Sequence, residues 1–248
     1  MRRPEPMRVH RAVAHAGLAS RRAAEELVRE GRVLVNGVPA TIGQIVAPED
    51  EVTVDGRRAE PEQSRVYLLN KAAGTVSTAS DPQGRPTVLD ALPDDVRLYP
   101  VGRLDLDTTG ALLVTNDGEL AGRLMHPRSK VPKTYEVLVE GRVSAATLRR
   151  LRAGVDLEDG RTLPARVEIM RRAHPGHTWL LMELTEGRNR QVKRMGDAVG
   201  HPVRRLHRSR YAGLGLRGLR TGEWRPLTRE EIARVGRAGV PAEAGAPA

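Results

Sequence analysis

Residues 101–118 read V-G-R-L-D-L-D-T-T-G-A-L-L-V-T-N-D-G. The middle is a polar turn bounded by glycines. The end, 111–115, is an apolar run with β-branching that marks a strand, and Asn116-Asp117-Gly118 closes it with turn chemistry. Two carboxylates, Asp105 and Asp107, with Arg103 beside them, therefore sit on a loop that feeds a buried strand. An apolar floor strengthens the electrostatic interactions made above it. On spacing alone, the same acids serve equally well as surface partners for the chain's many arginines.

Composition narrows the choice of partner. The formal net charge of +10, with a pI near 10.8, is the footprint of a protein that meets a polyanion, most often nucleic acid. Nearly all of that charge is arginine; the lysines are Lys71, Lys130, Lys133 and Lys193. The absence of cysteine removes disulfides, thiolate zinc sites and thiol nucleophiles together. Arg2-Arg3 is followed by no apolar segment of signal-peptide type, and no run reaches the length of a membrane span, so a cytoplasmic protein with no membrane partner is expected.

Outward from the central stretch, the chain divides. Val9, Val13 and Ala16 recur at helical spacing up to Gly17; Ser20 is placed to cap a second helix over 21–30, with Gly31 to end it. Residues 32–36 read as a strand turning at Asn36-Gly37, and 52–56 as another with its own turn. Two basic helices and a small sheet give a module over 1–58. Residues 59–64 have linker composition, 65–238 form a second domain, and 239–248 are Ala/Gly/Pro-rich and expected to be disordered. In the second domain, strands are expected at 66–70, 135–139, 165–170, 179–184 and 203–211. Helices are expected from 119 to 125, 143 to 154, 188 to 199 and 228 to 237. The fold class is α+β, with a mixed, mainly antiparallel sheet, because strands outnumber helices and do not alternate with them.

Two resemblances follow from these stretches. The segment A-S-R-R-A-A-E-E-L-V-R-E-G-R-V-L-V-N-G resembles the small RNA-binding fold named after ribosomal protein S-four, which implies RNA contacts from Arg11, Arg21, Arg22 and Arg32. Three segments, G-R-L-D at Asp105, K-T-Y-E-V at Tyr135 and E-G-R-N-R-Q-V-K-R-M at Lys193, resemble in this order the pseudouridine synthases of the group that includes the ribosomal small-subunit enzyme A and its large-subunit relatives. Where that family usually has Asn-Lys-Pro, this chain has Asn70-Lys71-Ala72.

The resemblance implies an isomerisation in which the base–sugar bond of uridine breaks and re-forms through carbon 5, without redox step, metal or cofactor. Asp105 takes the family's nucleophile position, Lys193 that of its basic partner, and Tyr135 that of the active-site tyrosine that stacks on the base and helps to move a proton. Leu206 is the candidate for the apolar residue under the base, and Arg103, Arg188, Arg190 and Arg85 are candidates for substrate binding. The stretch L-M-H-P-R-S-K-V-P-K-T-Y-E-V is closer to the large-subunit members, so large-subunit ribosomal RNA, or a pre-ribosomal particle, is the expected partner of a monomeric enzyme. Small-subunit RNA or tRNA as substrate, and a non-catalytic ribosome-binding protein, are the alternatives. Gly213 to Gly218 match G-x-G-x-x-G, but no βαβ unit follows. His174 and His177 lack the acids of a metal site.

Overall fold

The computed structural model describes residues 5–238; the segment 239–248, expected to be disordered, lies outside the described residues. Contacts divide the chain into two units, one holding residues up to Arg65 with Asp94–Arg97 and Asn116–Gly118, the other holding the remainder.

In the first unit, α1 (Val9–His15) and α2 (Arg21–Arg29) stand with short strands at Val33–Val35, Val38–Pro39, Val52–Val54 and Arg57–Arg58. The Ser20 hydroxyl accepts from the Ala23 amide, capping α2 as its position requires. Both hairpins turn on residue pairs that adopt positive φ, Asn36 (52°) with Gly37 (80°) and Asp55 (49°) with Gly56 (77°). The core is almost wholly valine and alanine, among them Val9, Val13, Ala24, Val33 and Val54. Along 59–64, the Glu62 amide donates to the His15 carbonyl at 3.1 Å.

The second unit is built on a nine-stranded sheet. Its main strands are β1 (Val66–Lys71), β2 (Thr109–Thr115), β3 (Lys133–Glu140), β4 (Arg166–Ile169), β5 (His177–Leu184), β6 (Val203–Tyr211) and β7 (Trp224–Pro226). They lie in the order β4-β5-β3-β6-β2-β1-β7. All neighbours along this order are antiparallel except β6 and β2, which run parallel where His207 and Arg208 meet Thr109 and Gly110. Both β1 and β2 are buried along nearly their whole length, which explains their continuous apolar reading. The helices α3 (Gly118–Met125) and α6 (Arg229–Ala238) contribute Leu120, Leu124 and Val235 to one apolar cluster. A second cluster takes Leu151 from α4 (Ala145–Ala153) and Val192 and Met195 from α5 (Gln191–Ala198).

One helix begins later than expected. The basic segment from Arg188 reads as the first turn of a helix, but α5 starts at Gln191, with Arg190 before it in the left-handed region (φ 47°, ψ 32°). The Gln191 side chain accepts from the Arg188 amide at 3.1 Å and donates to Glu186 at 2.5 Å, so it closes the loop instead of extending the helix.

The start of α6 holds a reciprocal cap: the Thr228 amide donates to Glu231 and the Glu231 amide to Thr228. Glu231 also receives both terminal nitrogens of Arg225 at 2.7 Å, and this partner holds its carboxyl down at about 2. A carboxyl depressed in the fold stabilises it above the unfolded pKa and loses that effect as pH falls. Glu231→Gln should therefore cost about 1 kcal/mol at pH 7, or roughly 2–4 °C in Tm. The difference from wild type should shrink as pH drops below the ordinary glutamate range, and melting curves from pH 7 to pH 3 measure it.

Candidate active site

The loop before β2 leaves the sheet where three strands converge: the end of β1 at Lys71, the start of β2 at Gly110, and the middle of β6 at Arg208. Gly110 has φ +111°, and a Cβ there would lie 2.3 Å from the Arg208 carbonyl oxygen, so only glycine allows β2 and β6 to approach this closely.

Lys71 holds the loop from below. Its side chain is fully buried, and its ammonium stands 2.9 Å from the Thr108 carbonyl oxygen, 3.0 Å from Ala72, 3.1 Å from Asp105 and 3.4 Å from Leu106. Burial pulls this amine down to about 8, while the carboxylates of Asp107 and Asp105 oppose the shift. The surrounding carbonyl oxygens favour its charged form as well. The Ser77 hydroxyl fixes the other end of the loop, donating to the Leu104 carbonyl and accepting from the Leu104 amide.

The loop so held presents Asp105 to a cleft of about 610 Å³, a volume that suits a nucleoside. The wall is formed by Arg103, Leu104, Lys133, Tyr135, Glu186, Arg188, Arg190, Leu206, Arg208 and Tyr211, among others. Asp105, Tyr135 and Leu206, brought together only by the sheet, thus share one cavity. Lys193, on the first turn of α5, reaches Asp105 at 3.6 Å but is centred on Asp107, whose two oxygens lie at 2.6 and 2.7 Å. This bond keeps the Asp107 carboxyl below its usual range. The lysine therefore serves both acids, where the sequence pattern pairs it with Asp105.

The candidate arginines fare differently. Arg103 and Arg190 are exposed at the cleft. The Arg188 guanidinium is engaged internally, donating to the Gly160 carbonyl at 2.7 Å, the Arg161 carbonyl at 2.6 Å and Glu186 at 3.1 Å. Arg85 is paired with Asp81 at 2.7 Å and does not line this cavity. In the first unit, Arg21 and Arg22 are exposed; Arg11 is half-buried; and Arg32 bonds Asp55 at 2.6 Å and Glu30 at 3.0 Å. The segment 213–218 forms a turn and the short strand Leu214–Gly215 against β6, not a nucleotide loop. His174 and His177 stack edge to face, and among the described residues no cluster of three or more metal-ligating side chains occurs.

Three residues of the cleft have no role assigned from the sequence. Tyr211 is buried and its hydroxyl is pushed up to about 12 by that burial. Lys133 and Arg208 are cations within the wall. Lys133 opens the K-T-Y-E-V segment and Lys71 stands in Asn70-Lys71-Ala72, so the sequence marks both positions without giving either a role, and it does not single out Tyr211.

Comparison with known proteins decides the family. The model of the RNA pseudouridylate synthase family matches residues 65–198, which include Asp105, Tyr135 and Lys193, and the S4 domain model matches residues 7–52. The chain belongs to the RNA pseudouridine synthases. It is 46% identical to a ribosomal large subunit pseudouridine synthase B of Bacillus subtilis, covering 92% of this chain and 95% of the relative. It is 44% identical to an uncharacterized RNA pseudouridine synthase of Aquifex aeolicus, covering 92% and 93%. A crystal structure of a pseudouridylate synthase, 30% identical, superposes with a TM-score of 0.68 over 92% of this chain and 99% of that one. The synthase therefore isomerises uridine in RNA. Among its described residues no helix is long and apolar enough to cross a membrane.

Proposed function

We propose that this synthase converts a uridine of large-subunit ribosomal RNA to pseudouridine, with Asp105 as nucleophile. The observation that carries the assignment is the position of the Asp105 carboxylate, one-third exposed (34%) to the cleft and 3.6 Å from the Lys193 ammonium. The reaction needs an ionised acid, and the Lys193 ammonium is placed to orient that carboxylate. The ionised carboxylate either attacks carbon 1′ of the ribose, displacing N1 of the base, or removes the proton from carbon 2′ to leave a glycal. The freed uracil turns and carbon 5 bonds to carbon 1′, either displacing the Asp105 carboxylate from it or, on the glycal, as the acid returns the proton to carbon 2′; the carbon 5 proton then departs, and N1 takes up a proton. Tyr135 supports the turned base with its ring and assists the proton transfer at carbon 5, while Leu206 provides the apolar contact beneath it.

The base must leave its stack to reach the cleft, at a cost of about a few kcal/mol, which phosphate contacts by exposed arginines such as Arg103 and Arg190 offset. The N-terminal module over 1–58, through Arg11, Arg21 and Arg22, recruits RNA by its backbone without reading its sequence. Substrate choice rests on the relatives named for the large subunit. The enzyme is read as a monomer of the cytoplasm, where ribosomal particles are at hand.

Tritium release from uridines labelled at carbon 5 tests the reading. Large-subunit transcripts should release tritium without added cofactor, and small-subunit transcripts and tRNA should not. Release from tRNA alone would overturn the substrate assignment.

A further inference from the structure

Two cations of the cleft wall are drawn out of solvent with no ion pair among the described residues, the nearby Glu186 carboxylate being bonded to Arg188 and Gln191. Arg208 is 3% exposed, and its Nε donates to the Ala111 carbonyl at 2.7 Å. Its Nη2 is buried without an acceptor, and among the described residues no acid stands at ion-pair distance. The Lys133 ammonium, half-buried on β3, has one hydrogen bond, to the Val131 carbonyl at 2.9 Å. Both flank the ring of Tyr211, Arg208 at 4.9 Å and Lys133 at 6.0 Å from its centre. Two like charges held together out of water oppose folding unless an anion arrives. Burial and then the Arg208 charge bring the Lys133 amine down to about 8, against the opposing pull of the Glu186 carboxylate.

A device in the sheet creates this arrangement. Residues three apart on a strand, such as Arg208 and Tyr211, ordinarily face opposite ways. Here β6 is bulged against β3: Thr134 pairs with Arg210 and Tyr135 with Arg208, leaving Ser209 as an extra residue. The bulge turns Arg208 and Tyr211 to the cleft that Lys133 and Tyr135 also line. Bulges re-aim side chains at functional sites, and this one re-aims a guanidinium towards the cavity of Asp105. The purely structural alternative, in which Arg208 only ties β6 to Ala111, leaves Lys133 and the unpaired charges unexplained.

We propose that Arg208 and Lys133 together seat a backbone phosphate flanking the target uridine, which positions the ribose over Asp105; this rests on the assignment of the cleft to uridine isomerisation. A phosphodiester matches the pair because it is the one anionic group on an RNA substrate, and a guanidinium fork with an ammonium suits its oxygens.

Melting of the full chain with uridine 5′-monophosphate or with uridine, at constant ionic strength, reads the seat without turnover. The nucleotide should raise Tm more than uridine does, and Lys133→Gln should erase that difference, whereas Asp105→Asn should retain it. The same difference in wild type and Lys133→Gln overturns the proposal. On RNA, a neutral methylphosphonate on one side of the target uridine should lower wild-type kcat/KM by about 30-fold. Lys133→Gln, slower by about 30-fold on natural RNA, should lose less than about 3-fold more on the modified one. Losses that multiply would show that lysine and phosphate act apart, and so also overturn it. Arg208→Lys, which keeps charge but not the fork, should fall between wild type and Lys133→Gln. Absence of turnover by the wild type on any RNA would remove the reaction assignment, and the melting result would still decide whether an anion is seated here.

Discussion

Replacing Asp105 with asparagine should abolish pseudouridine formation, by at least about 10⁴-fold in kcat, while leaving RNA binding intact. The substitution is nearly isosteric, and among the described residues the one ion pair of the Asp105 carboxylate is the 3.6 Å contact with Lys193, so the fold should hardly notice its loss. The loop keeps its shape because Lys71 grips the Asp105 carbonyl and not its side chain. Removing one negative charge from a basic cleft should, if anything, tighten RNA slightly. Asp107→Asn is the informative companion. Asp107 is 71% exposed and holds Lys193 by two short bonds, so its loss should misplace the lysine and cost about 10- to 100-fold, far less than loss of the nucleophile. Tritium release with filter-binding controls separates the two. Should Asp107→Asn be dead and Asp105→Asn active, the nucleophile has been placed on the wrong acid.

Lys71→Met should damage activity and stability together. Methionine fits the space but leaves the carbonyl oxygens of Ala72, Asp105, Leu106 and Thr108 without their shared donor inside the protein. Ala72, Asp105 and Leu106 keep second donors in the Thr75 hydroxyl and the Thr108 and Gly74 amides. The cost therefore falls mainly on the Thr108 carbonyl and is on the order of 2 kcal/mol, or roughly 4–8 °C in Tm for a chain of this size. The same change frees the loop that carries Asp105, and a displacement of about 1 Å at a reacting group costs about 100-fold in rate. Both effects should appear in the same preparation, with RNA affinity little changed because Lys71 does not reach the cleft. An unchanged Tm with full activity would mean that Ser77 and the strand ends fix the loop unaided.

These expectations draw unequally on sequence and on fold. Where a conformation is set by neighbours along the chain, it can be read without coordinates. Ser20 caps α2, Asn36-Gly37 turns its hairpin, and β6 spans Val203–Tyr211 as its pattern indicates. Gln191 shows how small a local misreading can be: its side-chain bonds to the Arg188 amide and Glu186 delay the helix that the basic run suggests.

The chemistry of the cleft is divided in the same way. G-R-L-D, K-T-Y-E-V and the segment at Lys193, taken in order, already resemble an RNA pseudouridine synthase before any strand is placed. Nothing near Lys71 in sequence announces that it is fully buried under a loop 34 residues away, nor that Lys193 bonds Asp107 more closely than Asp105. The parallel contact of β6 with β2, permitted by Gly110, and the bulge at Ser209 are properties of pairing between strands far apart in the chain. Local patterns follow from rotamers, turns and hydrogen bonds between near neighbours. The environment of a charge depends on which distant strands enclose it, and that is why Asp105 is legible in the sequence and the unpaired Arg208 and Lys133 are visible only in the folded sheet.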